Sequence, residues 1–290
     1  TYGRYWNGYC VPLKILLCFF TYQEIRILNI YVQLILIIST AIFLYKKTGF
    51  KYMCPFILSL MIINPVATSQ SLQYTNIAIT SLIAMIVILL VNDRLIKNSK
   101  RYFVFFLVLG SCVSFFDFLT YPIVALGLPL IIYIITNMEN DRQILKHTVM
   151  YGFIWGCGYI GMWAGKWVVG SIATGQNIIQ EAKDSIAFRT VGEWEGIDIS
   201  ICNSLISNLE VVLNKPFRLV IILLALSFVA AVFTRRLPLR VNIKGTIALF
   251  LVSIVPIGWY IIVKNHSVIH YWMTFRDYTV LFFGIGCIVS

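Results

Sequence analysis

Long apolar stretches alternate with short charged segments along this chain, and their spacing predicts a helix bundle. Stretches that approach the roughly 20 apolar residues needed to cross a bilayer lie at 24–45, 53–68, 76–92, 102–118, 121–137, 148–172, 217–234, 245–263 and 277–290. We expect helices, because a backbone in lipid must satisfy its own hydrogen bonds and no stretch alternates like a barrel strand. The predicted fold is all-α: a single polytopic transmembrane bundle over residues 1–290, with amphipathic interfacial helices on the extracytoplasmic side.

Local signals refine three of these elements. The sequence TYQE, Thr21–Glu24, matches a capping box and predicts the start of the first span. The run before it, 11–20, is either a separate interfacial helix or the beginning of one long bent helix. Pro55 and Pro65 predict a broken or re-entrant second span. The Gly-rich run 148–172 predicts a helix that its neighbours approach closely.

Composition indicates a membrane protein, and the distribution of charge predicts its orientation. Hydrophobic residues make up 59% of the 290 residues and charged residues 12%, against about a quarter in soluble domains. Loops near 46–51, 93–101, 138–147 and 235–244 hold most of the Lys and Arg residues that no acid balances. The positive-inside rule makes these loops cytoplasmic in a multi-pass protein of the cell membrane. The net charge of +11 then reflects topology, and no nucleic-acid partner is predicted.

The long segment 173–216 is predicted to lie outside the membrane on the opposite side. Its stretch GEWEGID, residues 192–198, could offer oxygen ligands to a divalent cation. The EF-hand spacing is missing, however, and a solvated loop is the preferred interpretation. Residues 201–213 have apolar positions at helical spacing, which predicts a helix lying on the membrane surface.

The stretch FFDFLTYP, residues 115–122, places a carboxylate between two apolar runs. Asp117 is predicted to lie at the outer end of its helix, at the boundary between membrane and water. Two interpretations stay open. The carboxylate caps the next helix, whose first turn suits Pro122, or it has a raised pKa and acts as a catalytic base.

A second polar cluster, KNHSVIHYWMTFRDY, covers residues 264–278. His266 and His270 are four residues apart and share a face if the segment is helical. Together with the positive charges of Lys264 and Arg276, they are predicted to bind a phosphate. The alternatives are a zinc site, which would need a third ligand from elsewhere, and an aromatic belt with ordinary interfacial His and Arg residues.

Four aromatic residues crowd into YGRYWNGY, residues 2–9. Arg4, Tyr5 and Trp6 are predicted to line a sugar or acceptor, and the alternative is packing at the level of the lipid headgroups. The seven cysteines are scattered without a CxxC pair, so we predict neither a redox site nor a metal framework. Because the chain begins at Thr1 and ends in a short apolar run, we expect a piece of a longer protein.

The layout of YGRYWNGY, FFDFLTYP and NHSVIHYWMTFRDY resembles the outer face of GT-C-fold polytopic membrane glycosyltransferases, in particular the uncharacterised bacterial type that uses lipid-linked sugars. The resemblance implies a cell-envelope enzyme that moves a sugar from a polyprenyl-phosphate donor to an extracytoplasmic acceptor. In that family an acid in the first outer loop usually acts as the base. Residues 1–23 contain no acid. The expected base then lies upstream of Thr1, or the role falls to Asp117.

The mechanism that the resemblance implies divides the work among these residues. The cations and imidazoles of 264–276 hold the donor phosphate and offset its growing charge, while a carboxylate deprotonates the acceptor. Replacing Arg276 with Ala is then expected to abolish transfer and leave folding intact. A rival hypothesis, a multi-pass transporter or lipid flippase, would use the helix break at Asn64 and Pro65 around a midplane polar site. A scaffold without chemistry would instead leave Asp117, His270 and Arg276 far apart.

Overall fold

The computed structural model describes residues 2–96, 99–214 and 242–290, together with a few positions between 218 and 230. Over these residues the chain is an all-α bundle, as predicted, with a single two-stranded hairpin, Glu193–Trp194 and Ile197–Asp198. The predicted span 217–234 and most of the predicted loop 235–244 lie outside the described residues. The helices are α1 (Cys10–Leu16), α2 (Tyr22–Thr48), α3 (Phe50–Ile63), α4 (Pro65–Ser69), α5 (Leu72–Leu95), α6 (Ser99–Phe116), α7 (Ile123–Asn137), α8 (Ile144–Thr174), α9 (Ile178–Thr190), α10 (Ile201–Leu213), α11 (Ile243–Ser253), α12 (Val255–Ile262), α13 (Lys264–Ile269), α14 (Tyr271–Thr274) and α15 (Tyr278–Val289), with short 3-10 turns at Tyr2–Arg4 and Phe275–Asp277.

Four helical stretches are long and apolar enough to cross a membrane: Tyr22–Thr48, Leu72–Leu95, Ile243–Ile262 and Tyr271–Val289. The first of them, α2, has the reverse of the pattern found in soluble proteins. It exposes Ile35 and Ile38, with 63% and 56% of their surface accessible, and it buries Asn29 and Gln33. Polar groups inside and apolar groups outside are what a lipid surround favours.

Helix α7 forms the centre of the bundle. Every residue from Ile123 to Asn137 except Thr136 is buried, and the helix packs against α5, α8, α11 and α15. With 15 residues it is about 22 Å long, shorter than the roughly 30 Å of bilayer hydrocarbon. Its two ends therefore lie inside the protein, and a buried polar cluster surrounds each of them.

The local start and stop signals are confirmed in detail. Thr21 and Glu24 form the predicted capping box at the start of α2, and α1 is a separate helix before it. The predicted second span is broken at Asn64, which has a left-handed φ of 56° and whose side chain accepts a hydrogen bond from Ala67 N. Pro65 then occupies the first turn of α4, where its missing N–H costs nothing.

The Gly-rich helix α8 crosses α6 at very short range, as its composition predicts. A Cβ on Gly158 would lie 2.1 Å from the carbonyl oxygen of Leu107, and one on Gly110 would lie 2.1 Å from that of Trp155. No side chain larger than hydrogen fits at either position. The close crossing lies on the part of α6 whose C-terminal end leads directly into the Asp117 turn.

The basic loops meet at one end of the bundle. Lys47 forms an ion pair with Asp93 at 3.2 Å, and the side chain of Asn242 donates a hydrogen bond to Met138 O. The other end of the bundle brings together four segments, 2–9, 117–122, 173–200 and 264–277. The segment 173–216 contains α9 and the hairpin, which the interpretation as a solvated loop did not foresee. Helix α10 has its predicted bounds and packs on α12, α13 and α14.

Candidate functional site

Asp117 closes the turn that connects α6 to α7. Its Oδ2 accepts hydrogen bonds from the backbone N–H groups of Leu119 at 2.8 Å and Thr120 at 2.9 Å, and its Oδ1 accepts one from the Thr120 hydroxyl. The side chain is 1% exposed, and burial raises its pKa to about 6 against the opposing effect of these hydrogen bonds. The capping interpretation thus describes the present contacts of this carboxylate. Its role as a base stays a prediction.

Helix α13 brings both predicted histidines to this turn. The Nε2 of His266 donates to Leu119 O at 2.7 Å, and the rings of His266 and His270 are 4.8 Å apart on one face, as predicted. Burial and the positive charge of Arg189 hold the pKa of His266 well below its ordinary value, and the same two causes lower that of His270. Both imidazoles are therefore neutral at pH 7 and act as hydrogen-bonding groups.

A second carboxylate, Asp277, lies at the N-terminus of α7. It is fully buried, and the backbone N–H groups of Ile123 and Val124 interact favourably with it, as expected for an anion at a helix N-terminus. Within the described part of the chain, neither of its oxygens makes a hydrogen bond of standard geometry. Asp277 also lies near enough to Asp117 for their charges to interact.

Arg189 of α9 reaches the same region from the side. One of its terminal nitrogens donates to the hydroxyl of Tyr5 at 2.5 Å; the other is buried and has no hydrogen-bond partner among the described residues. Its charge acts on both histidines and on Tyr159. The Tyr159 hydroxyl is likewise buried without a partner in the described chain. We call Asp117, Tyr159, Arg189, His266, His270 and Asp277 the outer polar cluster.

Arg276 lies beside the outer polar cluster, and two of its three guanidinium nitrogens donate to backbone carbonyls. Its Nε donates to Ile63 O at 2.9 Å, at the end of α3, and one terminal nitrogen donates to Trp272 O at 3.1 Å. The guanidinium lies 5.7 Å from the ring centres of both Tyr74 and Tyr121. Tyr121 follows Asp117 by four positions. The structure thus brings Arg276 to the Asp117 turn while using it to join backbone segments.

The aromatic segment 2–9 packs against the Asp117 turn and α8. The ring of Tyr5 meets that of Phe118 edge-on at 6.2 Å, and Tyr5 is buried. Trp6 donates from its indole nitrogen to Met162 O at 2.8 Å. Both predicted sugar-lining aromatics are therefore part of the wall behind the outer polar cluster.

Arg4 and Lys264 border the cluster without entering it. Arg4 pairs with Glu181 at 3.2 Å. The Nζ of Lys264 lies against the backbone at Gly192, where a Cβ would come within 2.7 Å of it. Among the described residues, no group of three His, Cys, Asp or Glu side chains is placed to hold a metal ion, so the zinc alternative lacks its third ligand there.

An apolar surface groove runs up to the outer polar cluster. A cavity of about 410 Å³ lies between α5 and α6, and one of about 340 Å³ lies between α1, α2 and α5. The two share Thr80, Ile83 and Phe116 as lining residues. Phe116 immediately precedes Asp117. The groove therefore reaches the residue before Asp117, a member of the outer polar cluster.

Sequence reasoning identified three members of the outer polar cluster, Asp117, His266 and His270, and missed Asp277, Arg189 and Tyr159. The sequence did carry a signal for Asp277, because this carboxylate follows Arg276 and begins an apolar run. Arg189 and Tyr159 carried no local signal, since the tertiary fold alone brings them to the turn.

No protein-family model matches this chain, and comparison with curated proteins and with solved structures finds no match.

Proposed function

We propose that this protein is an integral membrane glycosyltransferase that moves a sugar from a polyprenyl-phosphate donor to an extracytoplasmic acceptor. The observation that carries the proposal is the junction at Phe116 and Asp117. An apolar groove that can accept an isoprenoid chain reaches Phe116. The next residue belongs to a cluster of two buried carboxylates, a buried and a half-buried neutral imidazole, and a partly buried arginine. A donor with a long apolar tail and a charged head needs both features side by side.

Arg189 is the best-placed group to hold the donor phosphate. Its inward terminal nitrogen has no hydrogen-bond partner within the described residues, and guanidinium groups bind phosphate through paired hydrogen bonds. The charge would offset the negative charge that grows on the phosphate as the sugar leaves. His270 and Lys264 flank this position as further donors. Arg276 contributes positive potential, since its own hydrogen bonds go to backbone carbonyls.

Asp277 is the stronger of the two candidates for the base. A base must offer a lone pair to the acceptor hydroxyl, and the hydrogen bonds of Asp117 are occupied by its own turn. Neither carboxylate oxygen of Asp277 makes a hydrogen bond of standard geometry among the described residues. Asp117 then shapes the turn that leads into α7.

Acceptor access requires movement of the elements that cover the cluster. The side chain of Asn265 on α13 donates to Phe188 O and to Glu193 O, both at 2.6 Å. These two hydrogen bonds tie α13 to the end of α9 and the start of the hairpin. Separation of this cover from the bundle would open the cluster to the outer surface, as lids do in other enzymes.

The test is a transfer assay on the full protein in membranes, with labelled polyprenyl-phosphate sugars and mixed envelope acceptors. We expect Asp277→Asn and Arg189→Gln to abolish release of sugar from the donor. Asp184→Asn and Lys183→Gln, on the exposed face of the same α9, serve as matched controls and should retain activity. Full activity in both cluster variants, or no turnover of any donor by folded wild-type protein, would reject the proposal.

The groove has its own test. Ile83→Trp fills the wall that both cavities share, whereas Val149→Trp places the same bulk on an exposed position of α8. We expect the first change to raise the KM for a long-chain donor and to spare a short-chain analogue. The second change should affect neither. Equal KM values for the long-chain donor in both variants would separate the groove from donor binding.

The transporter alternative has one observation in its favour. Around the helix break at Asn64, buried polar side chains of α2 meet those of α4 and α5: Thr75 donates to Asn29 Oδ1 at 2.9 Å, and Thr68 donates to Gln33 Oε1 at 3.2 Å. These groups satisfy one another, which suits a structural latch. Lipid or solute flux that Gln33→Leu abolishes, in protein without transferase activity, would favour transport.

A further inference from the structure

A polar pit lies at the C-terminal end of α7, at the opposite end from the outer polar cluster. Its volume is about 160 Å³, and the side chains that matter to its chemistry are Tyr102, Tyr133, Tyr151, Asn140, Asp141 and His147. They come from the start of α6, the end of α7, the following loop and the start of α8. The basic loops 93–101 and 138–147 make this the predicted cytoplasmic end.

Asp141 and His147 form an oriented pair in this pit. The Nδ1 of His147 lies 2.6 Å from Asp141 Oδ2, and the Tyr133 hydroxyl donates to the same oxygen at 2.5 Å. Burial of Asp141 opposes its ionisation, but the hydrogen bonds from Tyr133 and His147 lower its pKa on balance. An ionised Asp141 makes His147 Nδ1 the donor. The Nε2 of His147, which has no hydrogen bond within the described residues, is then a fixed polar group that faces an incoming ligand.

Three tyrosine rings form the floor of the pit. Tyr102, Tyr133 and Tyr151 are at most 1% exposed, and their centroids are between 4.9 and 5.5 Å apart. Asn140 is exposed at the mouth, and His147 is partly exposed beside it. Phe106 and His147 stack on the faces of these rings, so the rings present their edges to the pit. This aromatic base lies below amide, imidazole and carboxylate groups that can hydrogen-bond to one small molecule.

The volume of the pit and the charges around it restrict the class of ligand that it can bind. A volume of 160 Å³ corresponds to roughly five water molecules and is below the roughly 300 Å³ at which pockets for drug-sized ligands begin. The Asp141 carboxylate repels an anion at the wall. The surplus of basic residues in the adjoining loops disfavours a cation. A neutral molecule with one ring fits all of these conditions.

We propose that this pit binds a single neutral, hydroxylated ring of monosaccharide size, either as a free sugar or polyol or as the headgroup of a glycolipid. The ring lies against the edges of the tyrosines, while its hydroxyl groups bond to His147 Nε2 and to the side chain of Asn140. This site is separate from the outer polar cluster, and the proposal for it does not depend on the transferase proposal.

The test is ligand-observed NMR on the full protein in detergent, with glucose, galactose, mannose, N-acetylglucosamine and myo-inositol as probes. Glucose 6-phosphate and glucosamine are the charged counterparts. We expect at least one neutral ring to bind and the charged forms to bind more weakly. His147→Ala should reduce the affinity about tenfold, as loss of one hydrogen bond does. Lys146→Ala, the exposed neighbour on α8, should leave it unchanged.

Asn140→Ala guards against misfolding, because Asn140 lies at the exposed mouth and contributes nothing to the core. It should weaken binding while thermal unfolding stays as in wild type. The proposal is overturned if no neutral ring binds, if glucose 6-phosphate binds as tightly as glucose, or if both pit variants keep wild-type affinity. Nanodiscs that contain monoglucosyl-diacylglycerol, compared with phosphatidylglycerol alone, separate the sources: competition between this lipid and the free sugar identifies a headgroup site, and its absence identifies a soluble ligand.

Discussion

His266 donates a hydrogen bond from Nε2 to the carbonyl oxygen of Leu119, 2.7 Å away in space and 147 positions earlier in the chain. Leu119 is held at a left-handed φ of 76°, a conformation that costs a residue with a side chain roughly 1–3 kcal/mol. Asp117 holds the same turn from within, through Leu119 N and Thr120 N. Two titratable side chains thus hold the connection between α6 and α7 in place: Asp117, predicted from sequence as a cap or a catalytic base, and His266, predicted to bind a phosphate.

Replacing His266 with Ala is expected to destabilise this turn. The change leaves the buried carbonyl of Leu119 without its donor, which costs about 1–3 kcal/mol. His270→Ala removes a half-buried ring that is tied by packing rather than by this bond, and it should cost less. Thermal unfolding of both variants in the same detergent makes the comparison. An equal loss of stability in both variants would show that the hydrogen bond from His266 to Leu119 O adds no stability beyond that of side-chain packing.

The charge of Asp117 should make stability depend on pH in an unusual direction. Its pKa rises from an ordinary 3.8 to about 6 in the folded protein, so the folded state holds the proton more tightly than the unfolded state. Its contribution to stability is therefore complete below about pH 4 and is lost as the pH rises through 6. Asp117→Asn removes the charge and keeps an oxygen for the turn. We expect the variant to gain stability relative to wild type as the pH rises from 4.5 to 8.

The measurement for Asp117 is the difference in unfolding temperature between variant and wild type across this range. Taking the difference cancels the contribution of His266 and His270, which is the same in both proteins. Asp184→Asn, on the exposed face of α9, gives the control curve and should be flat. A flat curve for Asp117→Asn would mean that this carboxylate is no harder to ionise in the folded protein than in the unfolded chain.

A methyl group on Gly158 is expected to push α6 and α8 apart. The added Cβ would lie 2.1 Å from Leu107 O, and overpacking of this kind costs about 1–3 kcal/mol. Gly156→Ala, two positions away with nothing within 4 Å of its Cβ, should stabilise the protein by up to about 1 kcal/mol through helix propensity. Unfolding temperatures that move in opposite directions confirm the close crossing. A gain in both variants would contradict it.

The parts of the fold that were predictable depend on local chemistry. Thr21 and Glu24 announce the start of α2 because a capping box is made within four residues. The apolar spacing over 201–213 predicts α10 with its observed ends. The helical turn from His266 to His270, at the end of α13, places the two rings side by side. This contact was predictable because residues four apart on a helix share a face.

What escaped prediction depends on contacts between distant segments. Arg189 belongs to a segment whose acids and lysine suggested solvent, yet α9 folds back so that its guanidinium reaches Tyr5, 184 positions away. Asp141 and His147 stood in a basic loop that was interpreted only for its charge. Their pairing with Tyr133 follows from the short central helix α7, whose buried length no local pattern reveals.

Arg276→Ala separates a structural role of this arginine from a direct role in transfer. The sequence predicts lost transfer with intact folding. The hydrogen bond to Ile63 O instead predicts a loss of about 1–3 kcal/mol, because this buried carbonyl at the end of α3 loses its donor. Arg276→Lys keeps the charge without the planar fork and should recover only part of the stability. Unfolding temperature and transfer rate per folded molecule are measured together on both variants. A wild-type unfolding temperature with abolished transfer would show that Arg276 binds the donor phosphate. A lowered unfolding temperature, with transfer retained by the folded fraction, would support Arg189 as the phosphate-binding residue.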